Sequence, residues 1–435
     1  MIKERHFKEQ KYYSLIYLKE TFSWEDILLM EVRGLLELFD DSAKFTFVGV
    51  ISIRNIAFMV FPKVIKEISP SDVFLTLKTL RRYSFKNSQL FDGVDYFSIY
   101  PDDPDCSELS IAQYLLNDYE NNGLYSTQEQ FYSLNGDGAV NWVNTIENLD
   151  PVFSNRQPIY ADTFNHVVLN IDDNFIIEIH KWSLGYCRDK FFHFLNNDVV
   201  LQFDFERNVH SLGTTVDLLR ILYKQLSISY VDREVHLLKS LIYLIRKRAG
   251  SIKNDLSLYG TKNFAGVWES ICKNTIGASL DVKTIFPSPE WNLLGNQYKS
   301  KGTLIPDIVH FDLDRARNYL FDAKYYSLKY SEGIAGEPGY KDILKQFQYQ
   351  QHIEKKKQER VSNAFLFPVD DTEFESLKIN PAVIDVNEFI VAIGSIQYAL
   401  FEQKTIWILM CSYSKWQKMY LENKTINSDC LYWKA

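Results

Sequence analysis

Residues 319–330 are "YLFDAKYYSLKY". The apolar run Tyr319, Leu320, Phe321 leads into Asp322 and Lys324, which stand two positions apart. Side chains alternate along an extended chain, so Asp322 and Lys324 share one face while Ala323 points to the other. Aromatic residues on both sides, "YLF" and "YY", mark a buried strand. A solvated strand end would also carry such a charge pair, so the neighbouring segments have to decide between the two.

Upstream, "IPDIVHFDL" reads as a second strand, with Asp307 at its start and 15 positions before Asp322. A hairpin of the two strands brings both carboxylates together. Convergent carboxylates repel unless a cation sits between them, and oxygen ligands of this kind suit Mg²⁺, with Mn²⁺ as a substitute. Lys324 could then orient or deprotonate an attacking water and offset charge in a phosphorane-like transition state. A helix, "FAGVWESICKNTIG", precedes the hairpin and carries Glu269; Glu290, in "SPEW", is a competing metal ligand. The helix that follows, "GYKDILKQFQYQQHIEKKKQER", carries Lys345, Gln346 and Tyr349, and its basic "EKKKQER" run reads as a solvated end.

Pro306-Asp307 followed by Asp322-Ala323-Lys324 resembles the PD-(D/E)-x-K nuclease signature. The order of "VGVI", "FPKVI", "YGTKNFAGVWESIC" and "KQFQYQ" around it is similar to the LlaJI-type restriction endonucleases and, more distantly, to the nuclease subunit McrC. The resemblance implies a Mg²⁺-dependent endonuclease that hydrolyses phosphodiesters of double-stranded DNA and leaves a 5′-phosphate. It implies Asp307 and Asp322 as metal ligands, with the Ala323 carbonyl as a further one, Glu269 reaching the metal through water, Lys324 at the nucleophile, and Gln346 near the active site. It also implies a separate AAA+ GTPase or ATPase subunit, a homo- or hetero-oligomeric assembly, and an N-terminal region that docks the motor. A non-catalytic DNA-binding scaffold that stimulates such a motor is the alternative.

The rest of the chain agrees with this division of labour. A length of 435 residues exceeds one ordinary core, and a net charge of −8 excludes polyanion binding through the overall field. There is no G-x-x-x-x-G-K-[ST] loop in the sequence. The five cysteines lack C-x-x-C spacing, which argues against a zinc site or disulfide framework and fits a reducing cytoplasm. Apolar stretches such as "FTFVGVISIRNIAFMVFPKVI" are interrupted before membrane-spanning length, so a soluble protein is expected.

That first stretch reads as a hairpin turning at Arg54 and Asn55, "PSDVFLTLKTLRRYSF" as a helix, and "IAQYLLNDYENNGLY" as a helix stopping at Gly123. Leu212–Leu226 and Val231–Lys247 are amphipathic helices, the second ending in a basic "RKR" that reads as a capped, solvated end. The expected fold class is α/β in a multidomain α+β chain. Its parts would be a β-containing domain over 1–105, a mixed region over 106–230, and a nuclease domain over 231–435 with a mixed central sheet flanked by helices.

Overall fold

In the computed structural model the apolar N-terminal segments build a five-stranded sheet from β1 (His6–Lys8), β2 (Val48–Ile53), β3 (Ile56–Phe61), β4 (Asp95–Tyr96) and β5 (Leu256–Thr261), in the order β1-β3-β2-β5-β4. The described residues are 6–54, 56–86, 95–98, 100–103, 106–171, 175–194, 213–248, 256–277, 286, 288–299, 305–312, 317–329 and 334–431. The expected hairpin is present: β2 and β3 pair antiparallel with Ile53 opposite Ile56. Arg54 takes a left-handed φ of 48° at the turn, and Asn55 lies outside the described residues.

Two glycines allow β2 and β5 to meet. A Cβ on Gly49 would stand 2.1 Å from the Tyr259 carbonyl oxygen, and one on Gly260 would stand 2.1 Å from that of Val48. Their φ angles of 139° and 155° are open to glycine and rarely to other residues.

After α1 (Pro70–Lys86), the chain returns to the same unit with β5 and α2 (Phe264–Ile276). The Asn263 side chain caps α2 at its start, and Gly277 ends it in the left-handed conformation. The α2 stripe Phe264, Val267, Trp268, Ile271 and Cys272 is buried, which is the 3.6-residue periodicity of the sequence put to use.

A second sheet of six strands follows. It comprises β6 (Ile308–Asp312), β7 (Arg317–Ala323), β8 (Val361–Val369), β9 (Asp385–Val386), β10 (Ile390–Gln397) and β11 (Thr405–Ser412), ordered β6-β7-β8-β11-β10-β9. Pairing is antiparallel between β6 and β7, parallel from β7 through β8 to β11, and antiparallel again at β10. The central strand β8 is buried at eight of its nine positions, as a parallel strand covered on both faces must be. The parallel crossover from β7 to β8 runs through α3 (Tyr340–Lys357), and α4 (Tyr413–Glu422) packs against α1 and α2. The expected fold class, a multidomain α+β chain with a mixed sheet flanked by helices, is the one observed.

The contacts divide the chain differently from the boundaries at 105 and 230. One unit joins residues up to Phe97 with those from Leu258 onward, and the other is Ser98–Ser257. The helix Asp232–Arg248, expected in the C-terminal domain, buries Leu237, Leu238, Leu241, Leu244 and Ile245 and packs on the helices Glu108–Asn122, Phe175–Phe191 and Thr215–Ile228 of the inserted unit. Its basic end is not simply solvated: Lys247 forms a 2.8 Å ion pair with the fully buried Glu108, which Lys190 also pairs with at 3.0 Å. No helix among the described residues is long and apolar enough to cross a membrane.

Gly49→Ala and Gly260→Ala should each destabilise the chain by about 3 kcal/mol or more through backbone strain and overpacking. A Cβ at Gly394 meets nothing within 4 Å, so Gly394→Ala should stay within about 1 kcal/mol of the parent. Urea unfolding of the three variants checks this ranking.

Candidate active site

The antiparallel register of β6 and β7 sets Ile308 opposite Phe321. One step further along the same register, Asp307 comes to face Asp322. The Asp307 carboxylate accepts a 3.1 Å hydrogen bond from the Ala323 backbone N–H, which locks the approach. Lys324 extends the parallel ladder by donating its N–H to the Leu366 carbonyl at 2.9 Å, and its ammonium returns to Asp322 at 2.6 Å. The three chemically active residues of the strand end are thus held by backbone pairing on both sides.

Lys324 has a second partner. Asp342, in the first turn of α3, accepts from its Nζ at 3.1 Å. Sequence reasoning missed this residue, because an acid in a first helical turn is already explained by the helix dipole. The side chains of Asp322 and Lys324 are only 17% and 11% exposed, so the pairing is shielded from water. Oδ2 of Asp322 is buried, with the Lys324 ammonium against it.

Burial, followed by the nearby carboxylates of Asp322 and Glu269, pushes the Asp307 carboxyl from 3.8 up to about 7. Burial also raises Asp322, against the pull of Lys324. Burial opposes the charge on Lys324, but Asp322 and Asp342 outweigh it and hold the ammonium above its ordinary pKa. Lys324 is therefore held as a cation between the two carboxylates.

Glu269 lies close enough for its charge to act on Asp307 and Asp322, and it is also ion-paired with Lys273 one turn along α2. Glu290, the competing ligand, sits on the exposed strand Glu290–Leu293 and pairs with Lys299 at 3.1 Å. Gln346 is buried, and its amide donates to Asn363 Oδ1 at 2.8 Å while Asn363 donates back to the Gln346 carbonyl and to Gln350. These bonds clamp α3 to β8. Tyr349 is buried and its phenol is raised by burial and then by Asp307, Asp322 and Asp342, which marks it as the α3 residue beside the carboxylates. Lys345 is exposed, as are Lys355, Lys356 and Lys357 at the end of α3.

Among the described residues no three His, Cys, Asp or Glu side chains form a metal cluster by themselves. Two convergent carboxylates nonetheless fit Mg²⁺, which keeps several waters and takes phosphate oxygens for the remaining positions. Burial, followed by the charges of Asp322 and Glu269, raises Asp307, and a cation between the carboxylates would relieve it.

Comparison with known sequences places the chain among restriction-system proteins. It belongs to the LlaJI restriction endonuclease family, whose model matches residues 47–395. It is 32% identical over 426 residues to the type II restriction enzyme BsuMI component YdjA of Bacillus subtilis, covering 94% of this chain and 87% of that protein. Among solved structures, McrC bound to McrB AAA+ hexamers of Thermococcus gammatolerans aligns over 96% of this chain and 98% of that one. The TM-score of 0.38 and identity of 13% are too low for that likeness to define the fold.

The raised Asp307 gives the metal-free chain a pH signature. A carboxyl that binds its proton more tightly when folded loses stability as pH rises from about 4 to 7, by up to about 4 kcal/mol. Thermal unfolding in chelator should therefore occur at a higher temperature at pH 5.5 than at pH 8, and Asp307→Asn should flatten the difference. Added Mg²⁺ should stabilise the parent at pH 8 and not the variant.

Proposed function

We propose that the chain is the DNA-cleaving subunit of a restriction system, hydrolysing phosphodiesters of double-stranded DNA with Mg²⁺ held by Asp307, Asp322 and the Ala323 carbonyl. The observation that carries this reading is the juxtaposition of Asp307, Asp322 and a doubly paired Lys324 at the joined ends of β6 and β7, in a chain of a restriction endonuclease family. Bound there, the metal would supply Lewis acidity toward the scissile phosphate and its attacking water. Lys324, kept cationic between Asp322 and Asp342, orients that water and neutralises charge that builds on the phosphoryl oxygens. Attack on phosphorus and release of the 3′ oxygen leaves the 5′-phosphate expected from the resemblance. Asp342 positions Lys324, and Glu269 adds acidic charge at the rim of the centre.

The motor is a separate AAA+ subunit in this reading. The chain has no phosphate-binding loop of its own, and its Bacillus subtilis relative is described as one component of an enzyme. The N-terminal region is the docking surface. Its residues 12–39 expose large apolar side chains, with Ile16 80% exposed, Val32 82%, Tyr12 58% and Trp24 45%, far more than scattered surface apolars require.

Asp322→Ala or Lys324→Ala, each assembled with the cognate partner, should lower Mg²⁺-dependent cleavage at least about a hundredfold. Undiminished restriction of unmodified phage DNA by these variants would return the chain to a non-catalytic scaffold. Ile16→Asp and Val32→Asp should abolish co-purification with the AAA+ subunit while leaving the unfolding temperature unchanged; retained co-purification would move the docking surface elsewhere.

A further inference from the structure

The chain is acidic overall, yet the groove between α1 and α4 concentrates positive charge. Lys78, Arg81 and Arg82 recur at helical spacing along one face of α1, and Lys418 joins them from α4. They border a cavity of about 650 Å³ whose apolar residues are Leu75 and Leu421. The one acid of the lining, Glu422, is ion-paired with Lys424 at 2.6 Å. Lys78 and Lys418 are exposed and have no acidic partner among the described residues.

The groove is also preformed. Buried Gln417 on α4 donates to Thr79 on α1 at 3.1 Å, fixing the two helices side by side. Arg82 donates to the Leu421 carbonyl at 3.0 Å and to Asn423 Oδ1 at 2.7 Å, and its guanidinium lies 4.9 Å from the centre of the Tyr420 ring. The geometry around the carboxylate centre uses none of these residues.

We propose that this groove binds the phosphate backbone of a DNA duplex, as a contact separate from the carboxylate centre. This rests on the nuclease reading above only for the identity of the polyanion. Flexible, unpaired lysines on a rigid helical frame suit phosphate contacts, which position a duplex without reading its sequence. Single-stranded bases need open aromatic faces for stacking, and Arg82 covers the Tyr420 ring. An acidic peptide would need apolar or aromatic anchors in the groove, where only two leucines are offered.

The test measures binding of a fluorescent DNA duplex by the full chain in EDTA, as a function of salt. Lys78→Ala combined with Lys418→Ala should weaken binding about tenfold or more and make the slope of log affinity against log salt shallower by about 2. The Lys78→Arg, Lys418→Arg pair should restore both. An unchanged slope in the alanine pair, or no duplex binding by the parent at low salt, overturns the proposal. So does a polyglutamate probe that the parent binds and the alanine pair loses while duplex binding stays intact, which would make the groove a site for acidic protein. Because EDTA removes cleavage from the readout, the two readings fail separately. A shallower slope without any Mg²⁺-dependent cleavage keeps the groove and discards the nuclease.

Discussion

The pairing of β6 with β7 is the constraint from which the centre follows. An antiparallel register admits no half steps, so once Ile308 lies opposite Phe321 the carboxylates of Asp307 and Asp322 must approach. Their approach is unfavourable in a half-buried site, and the surroundings absorb it. The Ala323 N–H donates to Asp307, Lys324 pairs with Asp322, and Asp307 shifts toward its protonated form. Core packing sustains the register: Ile308, Val309, Leu320 and Phe321 are fully buried on both faces of the hairpin, so slipping by one residue would exchange the faces and break the packing of each.

Strand β8 carries the strain of the centre into the rest of the unit. It accepts the Lys324 N–H and the Trp268 indole N–H at the single carbonyl of Leu366, joining the lysine to α2. It also holds α3 through the amides of Asn363, Gln346 and Gln350, which keeps Asp342 within reach of Lys324. On the far side, the residue after Lys324, Tyr325, donates to the buried Glu9 at 2.9 Å and accepts from the Lys63 N–H at 3.1 Å. The N-terminal sheet is therefore bonded to the strand end one residue from the ammonium.

How much of this could be read from sequence depended on whether the signal was local. The strands β6, β7 and β8, the helices α1, α2 and α3, and the β2–β3 hairpin follow from periodicity and end signals that each segment carries itself. Strand β10 was not recognised, because "EFIVAIGSIQ" has no clear period and its pairing with β11 shifts between Ala392 and Gly394. The domain boundaries failed for a related reason. Helix Asp232–Arg248 carries its own amphipathic stripe, but nothing in that stripe says which helices will cover it. Within the centre, the strand alternation of Asp322 and Lys324 and the hairpin to Asp307 were readable, whereas Asp342 required knowing where α3 lands. Gln346 stands out in sequence on α3 as a residue near the site; its buried partner Asn363 is 17 residues away and gives its amide a clamping job that the sequence does not show.

Charge balance explains why the centre is built around a cation that is fixed in place. Asp307, Asp322, Asp342 and Glu269 face Lys324 and Lys273, an excess of two negative charges by formal count. A DNA phosphate entering such a site adds to the excess, and the Coulomb cost at short range in a low-dielectric pocket is large. Lys324 cannot relieve it alone, since its charge is already committed to Asp322 and Asp342. Removing either acid would free the lysine but would also lose the groups that hold it at the strand end. In the proposed reading, a divalent ion held by Asp307 and Asp322 would offset the carboxylates, leaving Lys324 protonated for the phosphoryl oxygens. The same arithmetic applies to the chain as a whole. With a net charge of −8, any part that meets DNA has to be locally basic or supplied by another subunit, and the proposed α1–α4 groove meets the first condition.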